Sequence, residues 1–259
     1  MKNLLNKTIA IIAIITVFTS CSSDEIEIKG TGNLGVEFDN AFGSNDLILN
    51  TQANTTSNNE VLKISTVKYI ISNVVLTKED GTTFTYPKNK SYFIIDESDS
   101  EKRVAELVDV PAGNYTKITF GIGVDKAQWE LGATGQGDFL ATAQAAGMMW
   151  SWSAGYKFVA FEGTFTSPTV TTATDFKVHT GQTGTDYNYT EVTLDLPTNA
   201  MVRTTITPDI HIISNVSKIV DGTNKFKLSN KATIMGGTDL ALITANLSNM
   251  FTVDHVHND

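Results

Sequence analysis

The sequence is poor in the residues on which most binding and catalytic chemistry depends. Its 259 residues include one cysteine, four histidines and three tryptophans. With a single cysteine, no internal disulfide can form. The catalytic signatures G-x-S-x-G and H-E-x-x-H do not occur, and neither does a phosphate-binding loop of the G-x-x-x-x-G-K type. We therefore expect a binding protein rather than an enzyme.

Positive charge is also scarce. The chain has 19 lysines and arginines against 28 aspartates and glutamates, which gives a net charge of -9. Binding to nucleic acid requires clustered basic side chains that replace counterions, so we expect no nucleic-acid partner. An acidic surface is better suited to divalent cations or to basic partners.

The N-terminus has the pattern of a lipoprotein signal. Lys2 and Lys7 form a positively charged region before an apolar run at 8–18, which is short for a membrane span. The run leads into small residues and then Cys21, an arrangement that resembles a lipobox, in which the cysteine is diacylated. We predict a signal peptide over 1–20, lipidation at Cys21 and an acidic linker over 21–32. The location implied is the cell envelope, with the outer membrane favoured and its periplasmic and surface faces both open.

Residues 33–259 consist of short β-type runs separated by turn residues. The runs at 67–77 and 83–86 flank an Asp80-Gly81 turn, which is typical of a β-hairpin. A helical pattern occurs at 138–149, at the end of a long connection at 125–148 that suggests a functional or mobile loop. We predict a single all-β domain, an antiparallel β-sandwich with long loops and at most one or two short helices.

Two of the four histidines, His255 and His257, lie one residue apart near the C-terminus. In a regular strand they share the core-directed face of Phe251 and Val253, and Asp254 points to the other side. Side chains two residues apart on a strand are roughly 7 Å apart, so both imidazoles can converge on one metal ion. Two incidental histidines are the alternative that this short pattern leaves open.

The other two histidines are candidates for a third ligand. His179 ends a strand-like run before a Thr-Gly turn, from where its side chain can reach the rim of a sandwich. His211 shares its face with Asp209 and Ile213, which favours a packing role and makes it the weaker candidate. Imidazole ligands without a thiolate suit copper(II), zinc or nickel, and the residues alone do not choose among these metals.

One segment carries a family resemblance. Residues 147–163, "GMMWSWSAGYKFVAFEG", are accompanied in order by the segments 69–81, 111–125, 176–181 and 249–258. Together they resemble the MbnP-like copper-binding protein family over about residues 33–258. The resemblance implies an exported β-sandwich that binds copper through histidines. In some relatives a tryptophan is oxidised to kynurenine by a di-haem partner enzyme.

The family's functional positions map onto only part of this sequence. His179 matches the histidine of an F-x-x-H-x-G stretch, and Trp150 and Trp152 match a pair of tryptophans. Where relatives have an Asn-His pair, this chain has Gln128-Trp129. Trp129, Trp150 and Trp152 are therefore all candidates for the modified residue.

We predict a cell-envelope lipoprotein that binds copper and acts in copper sequestration or handling. The predicted ligands are His179, His255 and His257, with His211 as a weaker fourth candidate, and zinc is the other metal that these ligands admit. The alternative is a metal-free surface β-sandwich that binds a glycan or a protein partner.

Overall fold

The computed structural model describes residues 28–183 and 186–259. The predicted signal peptide, Cys21 and most of the predicted linker lie outside these residues. Within them, sixteen strands dominate the chain: β1 Thr31–Phe42, β2 Asn45–Asp46, β3 Asn54–Thr55, β4 Val61–Lys78, β5 Thr83–Thr85, β6 Tyr92–Asp96, β7 Val104–Pro111, β8 Gly113–Ile122, β9 Met149–Ser151, β10 Gly155–Thr166, β11 Thr174–Thr183, β12 Asp186–Tyr187, β13 Thr190–Val202, β14 Pro208–Asn215, β15 Thr233–Ile234 and β16 Phe251–Asn258.

Helices occupy short connections between the strands. The described residues contain five α-helices and two 3₁₀ helices: α1 Lys126–Trp129, α2 Gly132–Gly135, α3 Phe139–Ala145, α4 Lys218–Asp221, α5 Asp239–Leu247, and the 3₁₀ turns Lys88–Lys90 and Ser100–Arg103. Three of the α-helices are single turns of four residues. The prediction of an all-β, sandwich-like fold with antiparallel sheets is confirmed. The prediction of at most one or two short helices is wrong, because the long connections form five short α-helices among the described residues.

Two sheets form the fold. The small sheet has the strand order β16-β14-β1-β2, with β7 also paired to β1. The large sheet follows the order β12-β11-β10-β4-β8-β13, and the short strands β3, β5, β6, β9 and β15 pair along it. Most pairs are antiparallel, but β1 and β14 run parallel, as do β11 and β15. The pairing of β1 with β14 places residues 35–41, near the start of the described chain, beside residues 209–215, near its end.

Alternating side chains of both sheets form the main core. Val36 and Phe38 on β1, and Ile210 and Ile212 on β14, are buried in one cluster with large apolar residues of the large sheet. The residues between them, including Glu37, are only partly buried and face away from the large sheet. The small sheet therefore has one apolar face and one outer polar face.

The long connection between β8 and β9 covers the outer face of the large sheet. Its helices α1 to α3 lie over a second apolar cluster that includes Ile70, Val124, Ala143, Met148 and Tyr156. The segment predicted as a functional or mobile loop is thus a packed cover. Among the described residues, no helix combines the length and the apolar character needed to cross a bilayer.

Phe251 attaches the C-terminal strand to the core. Its ring is 3% exposed and contacts the rings of Phe38, Tyr69 and Phe120 edge to face, with centroids 6.0, 5.8 and 5.2 Å away. Aromatic contacts of this kind add to the free energy gained by burying the ring itself. The order of β16 therefore depends on this residue.

We expect Phe251→Ala to lower the free energy of unfolding by about 3–5 kcal/mol, because it leaves a cavity among three buried rings. Urea denaturation measures the loss, and hydrogen exchange of residues 252–257 reports the loosening of β16. The matched control is Thr252→Ala at the exposed neighbouring position, where we expect a change within about 0.5 kcal/mol. A loss no larger than that of the control would contradict the anchoring role.

Candidate metal centre

The pairing of β16 with β14 contains a one-residue bulge. Ile212 pairs with Val253, whereas the preceding residue of β14, His211, pairs with His255. Asp254 is therefore an extra residue that has no partner of its own on β14. A bulge of this type bends the strand and changes the direction in which the following side chains point.

The bulge divides β16 into two parts with different alternation. Before it, Phe251 and Val253 pack against the main core. After it, Val256 packs against that core, and His255 and His257 lie on the outer face. The regular alternation predicted for this strand, with both histidines on the core-directed face, is therefore wrong. The extra residue shifts the second half of the strand by one position.

Three imidazole rings meet on the outer face of the small sheet. One ring nitrogen from each of His211, His255 and His257 lies within 4.8 Å of those of the other two. Nε2 of His255 is 3.0 Å from Nε2 of His257, and the ring of His211 stacks on that of His255 with 4.3 Å between centroids. Two nitrogens about 2.0–2.1 Å from one metal ion are roughly 3.3 Å apart in a tetrahedral arrangement. His255 and His257 therefore have the spacing of two ligands of one ion, and a nitrogen of His211 lies within 4.8 Å of both.

Two of the three rings are held by carboxylates. Nδ1 of His211 is 2.9 Å from Oε2 of Glu37, and Nδ1 of His255 is 2.7 Å from Oδ2 of Asp254. Histidines that ligate metals commonly donate their other ring N–H to a carboxylate in this way. The bulge makes the second contact possible, because it brings the side chain of Asp254 to the face of its neighbour.

The donor set fits copper(II), zinc or nickel. It offers three imidazole nitrogens and two adjacent carboxylates, and the chain's one cysteine lies outside the described residues. Nitrogen ligands of this type suit the three metals named. The side chain of His255 is 44% exposed, so a further coordination position would be open to water or to an incoming ligand.

His179 lies in the large sheet, away from these three residues. It pairs with Ala160 across β10 and β11 and is 4% exposed. Its Nε2 is 2.7 Å from Oε1 of Glu162, and among the described residues its Nδ1 is a buried atom without a hydrogen-bond partner. The expected grouping of His179 with His255 and His257 is corrected: His211 occupies the third position, because β14 and β16 are neighbours in the small sheet.

The tryptophans form two separate contacts. The ring of Trp150 lies 6.0 Å from that of His179, whereas Trp152 stacks on Trp129 with 4.1 Å between centroids. Trp129 also meets Tyr156 edge to face. Trp150 and Trp152 therefore contact different partners, because β9 ends at Ser151 and the chain then turns.

Glu37 and Asp254 are site residues that the sequence analysis did not identify. Alternation between the buried residues Val36 and Phe38 indicates that Glu37 faces outward. No sequence signal shows that β1 lies beside β14, which is what brings Glu37 to His211. For Asp254 the only signal is its position next to a histidine.

Comparison with known proteins finds a family model that covers most of the chain. A sequence profile described as MbnP matches residues 31–236, more than half of the chain. The range includes His179 and His211 and ends before β16. No curated protein matches the chain. One solved structure, MbnP from Methylosinus trichosporium, aligns with 13% identity over 80% of this chain and 82% of that chain, at a TM-score of 0.46.

Burial changes the pKa of His179, and this change can be tested. Desolvation lowers the pKa of His179 below its ordinary value, and the hydrogen bond to Glu162 opposes this shift. The unfolded chain then binds this proton more readily than the folded chain, so His179 lowers stability as the pH falls below about 6.5. We expect the wild-type chain to lose more free energy of unfolding than His179→Gln between about pH 7.5 and about pH 5.5.

Denaturation of both proteins at each pH measures this difference, and NMR titration of the ring gives the pKa directly. Glu162→Gln is the second variant, and it should lower the pKa of His179 further because an opposing interaction is removed. A ring that titrates above the ordinary histidine value would contradict the assignment.

Proposed function

The chain belongs to the MbnP family, and we propose that it binds copper in the cell envelope through His211, His255 and His257. Its role would be the sequestration or handling of copper rather than catalysis. The observation that carries this proposal is the convergence of three imidazole nitrogens within 4.8 Å on one surface of the small sheet.

The positions of the ligands on paired strands support a defined site. His211 and His255 are direct cross-strand partners, and His257 follows two residues later on the same face. Their strands are fixed from the other side by the buried residues Ile210 and Ile212. Ligands held on a rigid sheet need little rearrangement to bind an ion, which favours affinity.

Family membership and geometry support the proposal independently. The matched range ends at residue 236, so the structure, and not the family profile, is the evidence for His255 and His257 as ligands. The family is the reason to propose copper, because the donor set by itself admits zinc and nickel as well.

The export signal is a second part of the proposal. We propose that Cys21 is lipidated and anchors the protein in the outer membrane, so that the metal-binding domain lies in the cell envelope. We expect Cys21→Ser to move the protein from the membrane fraction to the soluble fraction of fractionated cells. Retention of the variant in the membrane would contradict the anchor.

Metal titration tests the proposed centre. We expect the untagged domain to bind one copper(II) ion per chain, with an electron paramagnetic resonance spectrum typical of nitrogen ligands. Each of His211→Ala, His255→Ala and His257→Ala removes one of three ligands and should weaken binding more than tenfold. Competition with a chelator of known affinity measures the change.

His179→Ala is the matched control, because it removes a histidine that lies in the other sheet. It should leave the stoichiometry and the affinity of the centre unchanged.

Intact mass of the same preparation, made without a di-haem partner enzyme, should show unmodified Trp129, Trp150 and Trp152. A wild-type chain that binds no copper, with β16 still ordered, would favour the metal-free sandwich that binds a glycan or protein partner.

A further inference from the structure

The hydrogen bonds around the three histidines determine which ring nitrogens are free. A carboxylate only accepts hydrogen bonds, so Nδ1 of His255 donates to Asp254. Nδ1 of His211 lies 2.9 Å from Oε2 of Glu37, and the negative charge there favours the proton on Nδ1 of that ring as well. A neutral imidazole that carries its proton on Nδ1 has its lone pair on Nε2. Both rings therefore present Nε2 as an acceptor or ligand atom.

We propose that Glu37 and Asp254 are positioning residues of the metal centre, which hold His211 and His255 in the tautomer and the rotation that direct Nε2 to the ion. This inference rests on the proposed function of the three-histidine cluster. Neither carboxylate is placed as a ligand. Each acts through the imidazole that it holds.

The sheet brings the two carboxylates to the rings from opposite sides. Glu37 is the register partner of His211 in the parallel pair of β1 and β14. Asp254 is the bulged residue of β16, on the other side of β14. Glu37, His211 and His255 thus form a row across three neighbouring strands, and Asp254 precedes His255 on β16.

The carboxylates contribute more than orientation. A negative charge at Nδ1–H makes the imidazole a stronger donor to a metal through Nε2, and outer partners of this kind commonly change metal affinity by about 10–100-fold. Both contacts lie at the protein surface, where the side chain of Glu37 is 32% exposed and that of Asp254 is 55% exposed. They are therefore accessible to substitution without opening the core.

His257 is in a different state from the other two histidines. Its Nε2 lies 3.0 Å from Nε2 of His255, and since the latter is an acceptor, Nε2 of His257 must be the donor. A nitrogen that carries a proton cannot ligate an ion. With its proton on Nε2, His257 has its lone pair on Nδ1, so it ligates through Nδ1 or, after the proton moves from Nε2 to Nδ1, through Nε2. His211 and His255 keep their tautomers in either case.

Nuclear magnetic resonance of ¹⁵N-histidine-labelled protein tests both statements, with zinc(II) as the diamagnetic probe. In the metal-free chain we expect His211 and His255 to carry the proton on Nδ1 and His257 to carry it on Nε2. On addition of zinc(II), His211 and His255 should keep the proton on Nδ1. Copper(II) affinities are then measured by chelator competition on the same set of proteins.

The variants are Glu37→Leu and Asp254→Ala, which remove the acceptors, and Glu37→Gln and Asp254→Asn, which keep an acceptor without the charge. We expect the first pair to give mixed tautomers at the partner histidine and a loss of affinity of about 10–100-fold. The second pair should retain the Nδ1–H tautomer with a smaller loss. This partial rescue separates positioning from a general effect on folding.

Glu106→Leu is the charge-matched control. Glu106 lies on β7, in the same sheet, opposite Gly35 and exposed, so its removal changes the net charge equally. Variants of Glu37 and Asp254 with wild-type tautomers and affinity would overturn the inference and leave the copper proposal intact. A wild-type chain that binds neither copper(II) nor zinc(II) would overturn the copper proposal itself.

Discussion

The register of β16 against β14 is the constraint on which both the core and the candidate centre depend. Phe251 and Val253 pack inward before the bulge, and Val256 packs inward after it. Asp254 lies between these two parts as the unpaired residue. Because side-chain direction in a strand has a period of two, one extra residue is enough to direct both later histidines outward. The pairing of β14 with β16 therefore packs the C-terminal strand against the core and also brings the three imidazoles together.

The cluster of three histidines and the fourth histidine, His179, lie on opposite outer faces of the sandwich. The cluster of His211, His255 and His257 lies on the small sheet, while His179 lies on the large sheet with the ring of Trp150 6.0 Å away. The main core, which is apolar, separates them. The position that the family resemblance assigns to His179 and the centre that the geometry assembles are thus two distinct environments, one buried and one open to solvent.

Local patterns in the sequence were sufficient for the fold class and for much of the strand plan. The hairpin around Asp80-Gly81 appears as β4 and β5, since turn chemistry and alternation are local properties. The pair His255 and His257 was also readable as a chelating motif. The bulge was not, because it is defined by the partner strand, and the contact of Glu37 with His211 depends on a parallel pairing between strands more than 160 residues apart.

The bulge in β16 also affects how separate copies of the protein meet. β16 is the outermost strand of the small sheet, and a regular outer strand offers unpaired backbone groups to any other extended chain. The irregularity at Asp254 interrupts that row, and the side chain of Asn258 engages the backbone of Asn199 and Met201 from β13. The feature that exposes the imidazoles thereby also protects the sheet against edge-to-edge aggregation.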